Sequence, residues 1–187
     1  MKLLPLAAEP FSAPTDRDML PSERREFVRT HRTCVFGYGR RVDGPAMSVV
    51  YYVPTDTDEL MVSTMRERAK SKAVDRNEKV SLCVLDERWP FAYLQVNCDA
   101  RVDDDPKLVV DVMMAVGGRM SGTPLPEEAR PMAEAMAKKE GRVVLRCRPY
   151  ATFAQPPRHL HRNDHEEEIT HWITNSMPWD APDQGPA

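Results

Sequence analysis

Long apolar runs are missing from this chain, and so is an excess of positive charge. No uninterrupted hydrophobic stretch approaches the roughly 20 residues of a membrane-crossing helix. A net charge of −3 over 187 residues gives no overall basic character that would favour nucleic acid or an anionic membrane. The four cysteines, Cys34, Cys83, Cys98 and Cys147, have no CxxC spacing and sit among strand-like residues, so they read as reduced, buried small hydrophobes rather than zinc ligands or disulfides. The dinucleotide glycine fingerprint is absent, because Gly37-Tyr38-Gly39 lacks the third glycine and leads into a strand, not a helix. The start, Met1-Lys2-Leu3-Leu4-Pro5, is faintly leader-like, but its apolar part is short, Pro5 interrupts it and Glu9 closes it. It reads as a disordered cytoplasmic N-terminus. Isoleucine is scarce beside valine while Ala, Arg and Pro are common, the bias of a GC-rich genome.

What is present is ample apolar material: 41% of residues are hydrophobic, enough for a core in one domain with tails. Residues 1–20, with Pro5, Pro10 and Pro14 and little periodicity, form the N-terminal arm. Pro21 and Ser22 open a short helix over 23–31, with Ser22 as its N-cap. Strands are expected at 33–38, 47–53, 59–64, 79–86, 91–102 and 142–155, the last interrupted near Pro149, with a hairpin turn at 40–45. A two-turn helix ends near Arg76-Asn77. Asp103-Asp104-Asp105-Pro106 caps a helix over 107–116, which Gly117-Gly118 ends, and a further helix spans 131–139. Strict βαβ alternation is lacking. The expected architecture is a six-stranded antiparallel barrel decorated with helices, over 21–155, followed by a polar tail, 156–187.

The densest chemical signal is 59–85. An apolar run reaches Ser63 and Thr64, and Arg66, Arg68, Lys70 and Lys72 then alternate into a helix start. Free N–H groups and the dipole at a helix N-terminus add to side-chain charge, so this order of parts makes an anion site, and phosphate is the anion it suits. The plainer reading is a solvated basic face, partly neutralised by Glu67, Asp75 and Glu78.

Three features together resemble the flavin- and deazaflavin-binding split-barrel family, the group that includes pyridoxamine 5′-phosphate oxidase. They are the hairpin Val42-Asp43-Gly44-Pro45 before a Val/Tyr strand; Ser63-Thr64, then Arg68-Ala69-Lys70, a helix and Arg76-Asn77-Glu78-Lys79-Val80; and the aromatic strand Tyr93-Leu94-Gln95-Val96. The resemblance covers about 23–155. Glu78 stands where the family usually has proline, and Asn97-Cys98-Asp99 replaces its usual glycine. The substrate-binding residues of the phosphate oxidases themselves have no match.

The resemblance implies a homodimer with cofactor sites at its interface. An isoalloxazine-type ring would lie against Met47, Ser48, Val49 and Val50, its phosphate would meet Ser63, Thr64, Arg66, Arg68, Lys70 and Lys72, and the partner's Tyr93 or Gln95 would close the pocket. It implies an oxidoreductase that moves a hydride to or from a small unsaturated substrate, using coenzyme F420 or FMN. No catalytic acid or base is singled out. The rival is a non-catalytic flavin- or haem-binding split barrel. The cation count, with Arg76 and Lys79 added, exceeds what one phosphate uses and favours the long anionic tail of F420 over FMN.

His159, His161, His165 and His171 crowd the tail, where His161 and His165 have helical metal-ligand spacing, but Glu166-Glu167-Glu168 beside them favours a solvated acidic face, and no metal is expected. Trp172, Ile173, Met177 and Trp179 make an apolar island expected to dock on the barrel or the partner subunit. Met113, Met114, Met120, Met132 and Met136 read as adaptable packing.

Overall fold

The computed structural model describes residues 1–14, 17–88, 91–155 and 176–183. Four helices accompany one curled antiparallel sheet. Helix α1 is Pro21–Thr30, followed by β1 (Thr33–Tyr38), β2 (Ala46–Tyr51), β3 (Val53–Pro54) and β4 (Leu60–Met65); then come α2 (Ala69–Arg76), β5 (Lys79–Asp86), β6 (Ala92–Asp103), α3 (Pro106–Ser121), α4 (Arg130–Glu140), β7 (Arg142–Gln155) and β8 (Met177–Pro178). The strand order is β2-β1-β5-β6-β7-β4-β3, with β8 paired to β7. The six expected strands become eight because a break at Tyr52 separates Val53–Pro54 as β3, and the tail supplies β8.

The sheet folds around Phe36, Leu60, Val62, Leu82, Leu94, Val96 and Leu145, while a second cluster (Val53, Met61, Leu108, Val109, Val112 and Val144) joins α3 to the outside of β4 and β7. Strand β4 and the first part of β7 are thus buried on both faces, which is why Leu60 to Val62 and Val143 to Leu145 are unbroken apolar runs. Pro149 does not interrupt β7. It lies where the β6–β7 register shifts, between Cys147, the last residue paired to β4, and Ala151, the first paired to β8, so no neighbour on that edge needs its N–H.

Two helix ends depart from expectation. The N-cap of α1 is Leu20, whose N–H donates to Glu23 Oε2 at 2.8 Å; Ser22 lies inside the helix, with its N–H and Oγ both bonded to Asp183. Helix α3 begins as read, with Asp105 accepting from the N–H groups of Lys107 and Leu108, but it runs through Gly117-Gly118 to Gly122 in the left-handed region. These glycines serve packing: a Cβ on Gly117 would stand 2.4 Å from Leu125 Cδ1, and one on Gly118 would stand 3.2 Å from Thr123 O.

The termini are held onto the barrel. Residues 1–14, expected as a disordered arm, run beside β3: Leu4 N–H donates to Pro54 O, Lys2 and Asp56 exchange bonds, and Phe11 N–H reaches Thr30 Oγ1. The fully buried Arg119 of α3 donates to the carbonyls of Leu4, Pro5 and His31. At the other end, Trp179 enters the main core at 8% exposure, and its N–H donates to Tyr150 O. Arg25 holds the carbonyls of Trp179 and Ala181. Trp172 and the four tail histidines lie outside the described residues.

Candidate functional site

Antiparallel pairing places each candidate on one of two faces, because directly paired residues share a face and neighbours along a strand alternate. Thr64 pairs with Val143 and follows the inward positions Leu60 and Val62, so it lies on the barrel interior and is 5% exposed. Ser63 pairs with Val144 and belongs to the opposite face, beneath α3. The two adjacent hydroxyls therefore do not serve one ligand from the strand. On β2, Ser48 and Val50 pair with Phe36 and Cys34 on the inside, while Met47 and Val49 point outward at 71% and 75% exposure. Tyr93 and Gln95 share the outward face with Met47 and Val49, but β1 and β5 lie between, roughly 14 Å of sheet. Gln95 Nε2 donates to Asn97 Oδ1, which also accepts from Ser81 Oγ.

The cations divide just as clearly. Arg66 pairs with Asp75 at 2.9 Å and also reaches Ser71 Oγ; Lys72 pairs with Glu67 at 2.6 Å; Lys79 pairs with Asp99. Among the described residues no carboxylate pairs with Arg68 or Lys70. Lys70 is half-buried, and burial first, then the adjacent Arg68 charge, lowers its pKa, while the Cys34 thiol in the barrel core acts weakly the other way. These two charges sit at the N-terminus of α2, where Arg68 is the N-cap, no side chain caps the helix and no acid occupies its first turn. A positively charged helix start left uncapped and un-neutralised is the environment that an anion improves most.

Orphaned hydroxyls add a second signal. The Oγ atoms of Ser48 and Ser63 are buried without a hydrogen-bond partner, which costs about 1–3 kcal/mol each unless something supplies one. Ser48 faces the barrel interior from β2, as Thr64 does from β4. Arg68, Lys70 and the free α2 amides, shortly after Thr64 in the chain, fit the phosphate of a cofactor. Ser63 belongs elsewhere, and Arg66 and Lys72 are engaged.

Cys34 was missed as a neighbour of this site, and no local signal could have shown it, since β1 is distant in sequence. Its thiol is buried and its pKa pushed well up by desolvation, so it is a wall rather than a nucleophile. His31, the one histidine among the described residues, stacks on Phe27 and stands 3.7 Å from Asp86, which Arg88 holds. Among the described residues no three His, Cys, Asp or Glu side chains gather as metal ligands, and no helix is long and apolar enough to cross a membrane.

Residues 20–155 match the sequence model of the family described as pyridoxamine 5′-phosphate oxidase. Among solved structures, the fold is similar to that of a conserved hypothetical protein from Mycobacterium tuberculosis, 22% identical, with a TM-score of 0.67 over 83% of this chain and 98% of that one. It is also similar to an F420 reductase, 20% identical, with a TM-score of 0.50 over 66% of this chain and 90% of the other. A heme binding protein from Mycobacterium smegmatis, 12% identical, matches with a TM-score of 0.55 over 87% of this chain and 59% of its own. No curated protein matches.

Proposed function

The chain belongs to the pyridoxamine 5′-phosphate oxidase family, and on that premise we propose that it is an oxidoreductase using coenzyme F420 or, as the second choice, FMN. The observation that carries this reading is the un-neutralised Arg68–Lys70 pair at the uncapped start of α2, beside the inward-facing Thr64. When bound, the cofactor ring would supply hydride transfer to or from a small unsaturated substrate. The chain's own part is to bind and orient: Lys70 and Arg68 give charge-assisted hydrogen bonds to the phosphate, and Thr64 and Ser48 offer hydroxyls. The cation surplus that favours F420 is smaller than the sequence count, since Arg66, Lys72 and Lys79 are paired. Those pairs lie at the solvent surface, where an added anion can exchange with the carboxylate, so F420 stays first.

The same reading makes the protein a C₂ homodimer. The outward face of β2, with Met47 and Val49 bare, continues through Val35 and Cys83 to Gln95 and Tyr93, a sheet surface with an apolar end and a polar end that suits a second copy. The partner's Tyr93 and Gln95 would then border a pocket that the subunit's own copies do not reach. The test is titration of F420 and FMN into the wild-type protein and Lys70→Ala: affinity should fall by about 1.5–3 kcal/mol. A folded Lys70→Ala protein with unchanged affinity for both cofactors removes the proposal.

A further inference from the structure

The four alternating cations of the α2 segment are not equivalent. The inner two, Arg68 and Lys70, have no carboxylate partner among the described residues, whereas the outer two carry built-in anions: Glu67 on Lys72 and Asp75 on Arg66. Both ion pairs are open to solvent, with side-chain exposures of 54% and 84% for Lys72 and Glu67 and of 47% and 43% for Arg66 and Asp75. The Lys72 ammonium holds the Glu67 carboxyl below its usual pKa, chiefly through their hydrogen bond. Arg66 also reaches Ser71 Oγ on α2. A ligand with one phosphate meets only the free inner charges. A ligand whose negative charge extends further must displace Glu67 and Asp75 or lie against them.

We infer that Glu67 and Asp75 are specificity-determining residues of the cofactor site, internal counter-ions that leave the first phosphate unopposed and weaken the hold on every anionic group beyond it. This rests on the reading of Arg68 and Lys70 as the phosphate site. Removing either carboxylate charge frees an outer cation for the tail, so Glu67→Gln and Asp75→Asn strengthen binding of the oligoglutamate-tailed F420 and leave FMN nearly unchanged. Each substitution raises F420 affinity roughly three- to fivefold at low salt, and the gain fades as salt screens it.

The experiment titrates both cofactors into the wild-type protein, Glu67→Gln, Asp75→Asn, the double variant and a distant exposed-carboxylate control, Glu128→Gln, at low and high salt. A selective F420 gain in the α2-segment variants, absent in Glu128→Gln, supports the inference. Equal changes for both cofactors, no change, or the same gain in the control overturn it, while Lys70→Ala still weakening both cofactors leaves the underlying reading intact. If neither cofactor binds the wild-type protein, the reading and the inference fall together.

Discussion

The chain ends and the α2 segment use positive charge in opposite ways. At the ends, Arg119 is 1% exposed and spends its guanidinium on three main-chain carbonyls, and Arg24, equally buried, donates to Met19 O and to the carbonyl and hydroxyl of Thr152. Burial pulls the pKa of both arginines down, with Asp18 opposing it at Arg24, and hydrogen bonds to fixed carbonyls offset part of that cost. In the α2 segment the cations are exposed or half-buried, Arg68 and Lys70 have no counter-ion among the described residues, and no side chain caps the helix that follows. Charge in a desolvated setting, hydrogen-bonded to main-chain carbonyls, holds the chain together. Charge in an unsatisfied, accessible one is available to a ligand.

The largest effect that could break this contrast concerns the tail. Trp179→Ala removes a core side chain and should lower stability by about 3–5 kcal/mol, read as a shift in the urea midpoint. An unmoved midpoint would mean that residues 176–183 only rest on the barrel. Lys70→Ala should do the reverse, with cofactor affinity weakened and the unfolding free energy unchanged within about 0.5 kcal/mol, as for most substitutions outside a packed core. A large loss of stability there would place Lys70 with the structural arginines.

Arg119→Met comes next. It keeps the bulk of the stem but leaves the carbonyls of Leu4, Pro5 and His31 without that donor, and should cost about 1–3 kcal/mol. Amide exchange within residues 1–14 should accelerate; exchange as slow as in the wild-type protein would show that Arg119 does not pin the arm.

The smallest effect is with pH. Burial, the first cause, sets the His31 pKa below its ordinary 6.5 even though Asp86 and the Phe27 carbonyl favour its charged form. The unfolded chain therefore takes up a proton in a window where the folded protein resists it, so stability should decline as pH falls below about 6.5 toward the lower folded-state value. His31→Gln should flatten that part of the profile, and an identical slope in the variant would assign the titration elsewhere.

Much of this was legible from the residues alone. Strand alternation in Tyr93 to Asn97, the Asp105-Pro106 start of α3, the Gly141 stop of α4 and the hydroxyl-cation-helix order of 63–76 all follow from rules acting within a few residues, such as side-chain period, capping and backbone freedom. The fold class followed from their order. Local rules say that Ser63 and Thr64 point to opposite faces, yet β4 is buried on both, so only the pairing with β7 tells that Thr64 faces the barrel and Ser63 faces α3. They count six cations near α2, but which of them stay free depends on where the side chains of Asp75, Glu67 and Asp99 come to lie. Gly117 and Gly118 look like a helix stop until Leu125 and Thr123 fold back against them. The sequence by itself determined the kinds of elements, their order and the run of cations that leads into α2. The tertiary structure decided which charges were already spent, because ion pairing, burial and hydrogen-bond satisfaction depend on neighbours as distant in sequence as Arg119 and Leu4.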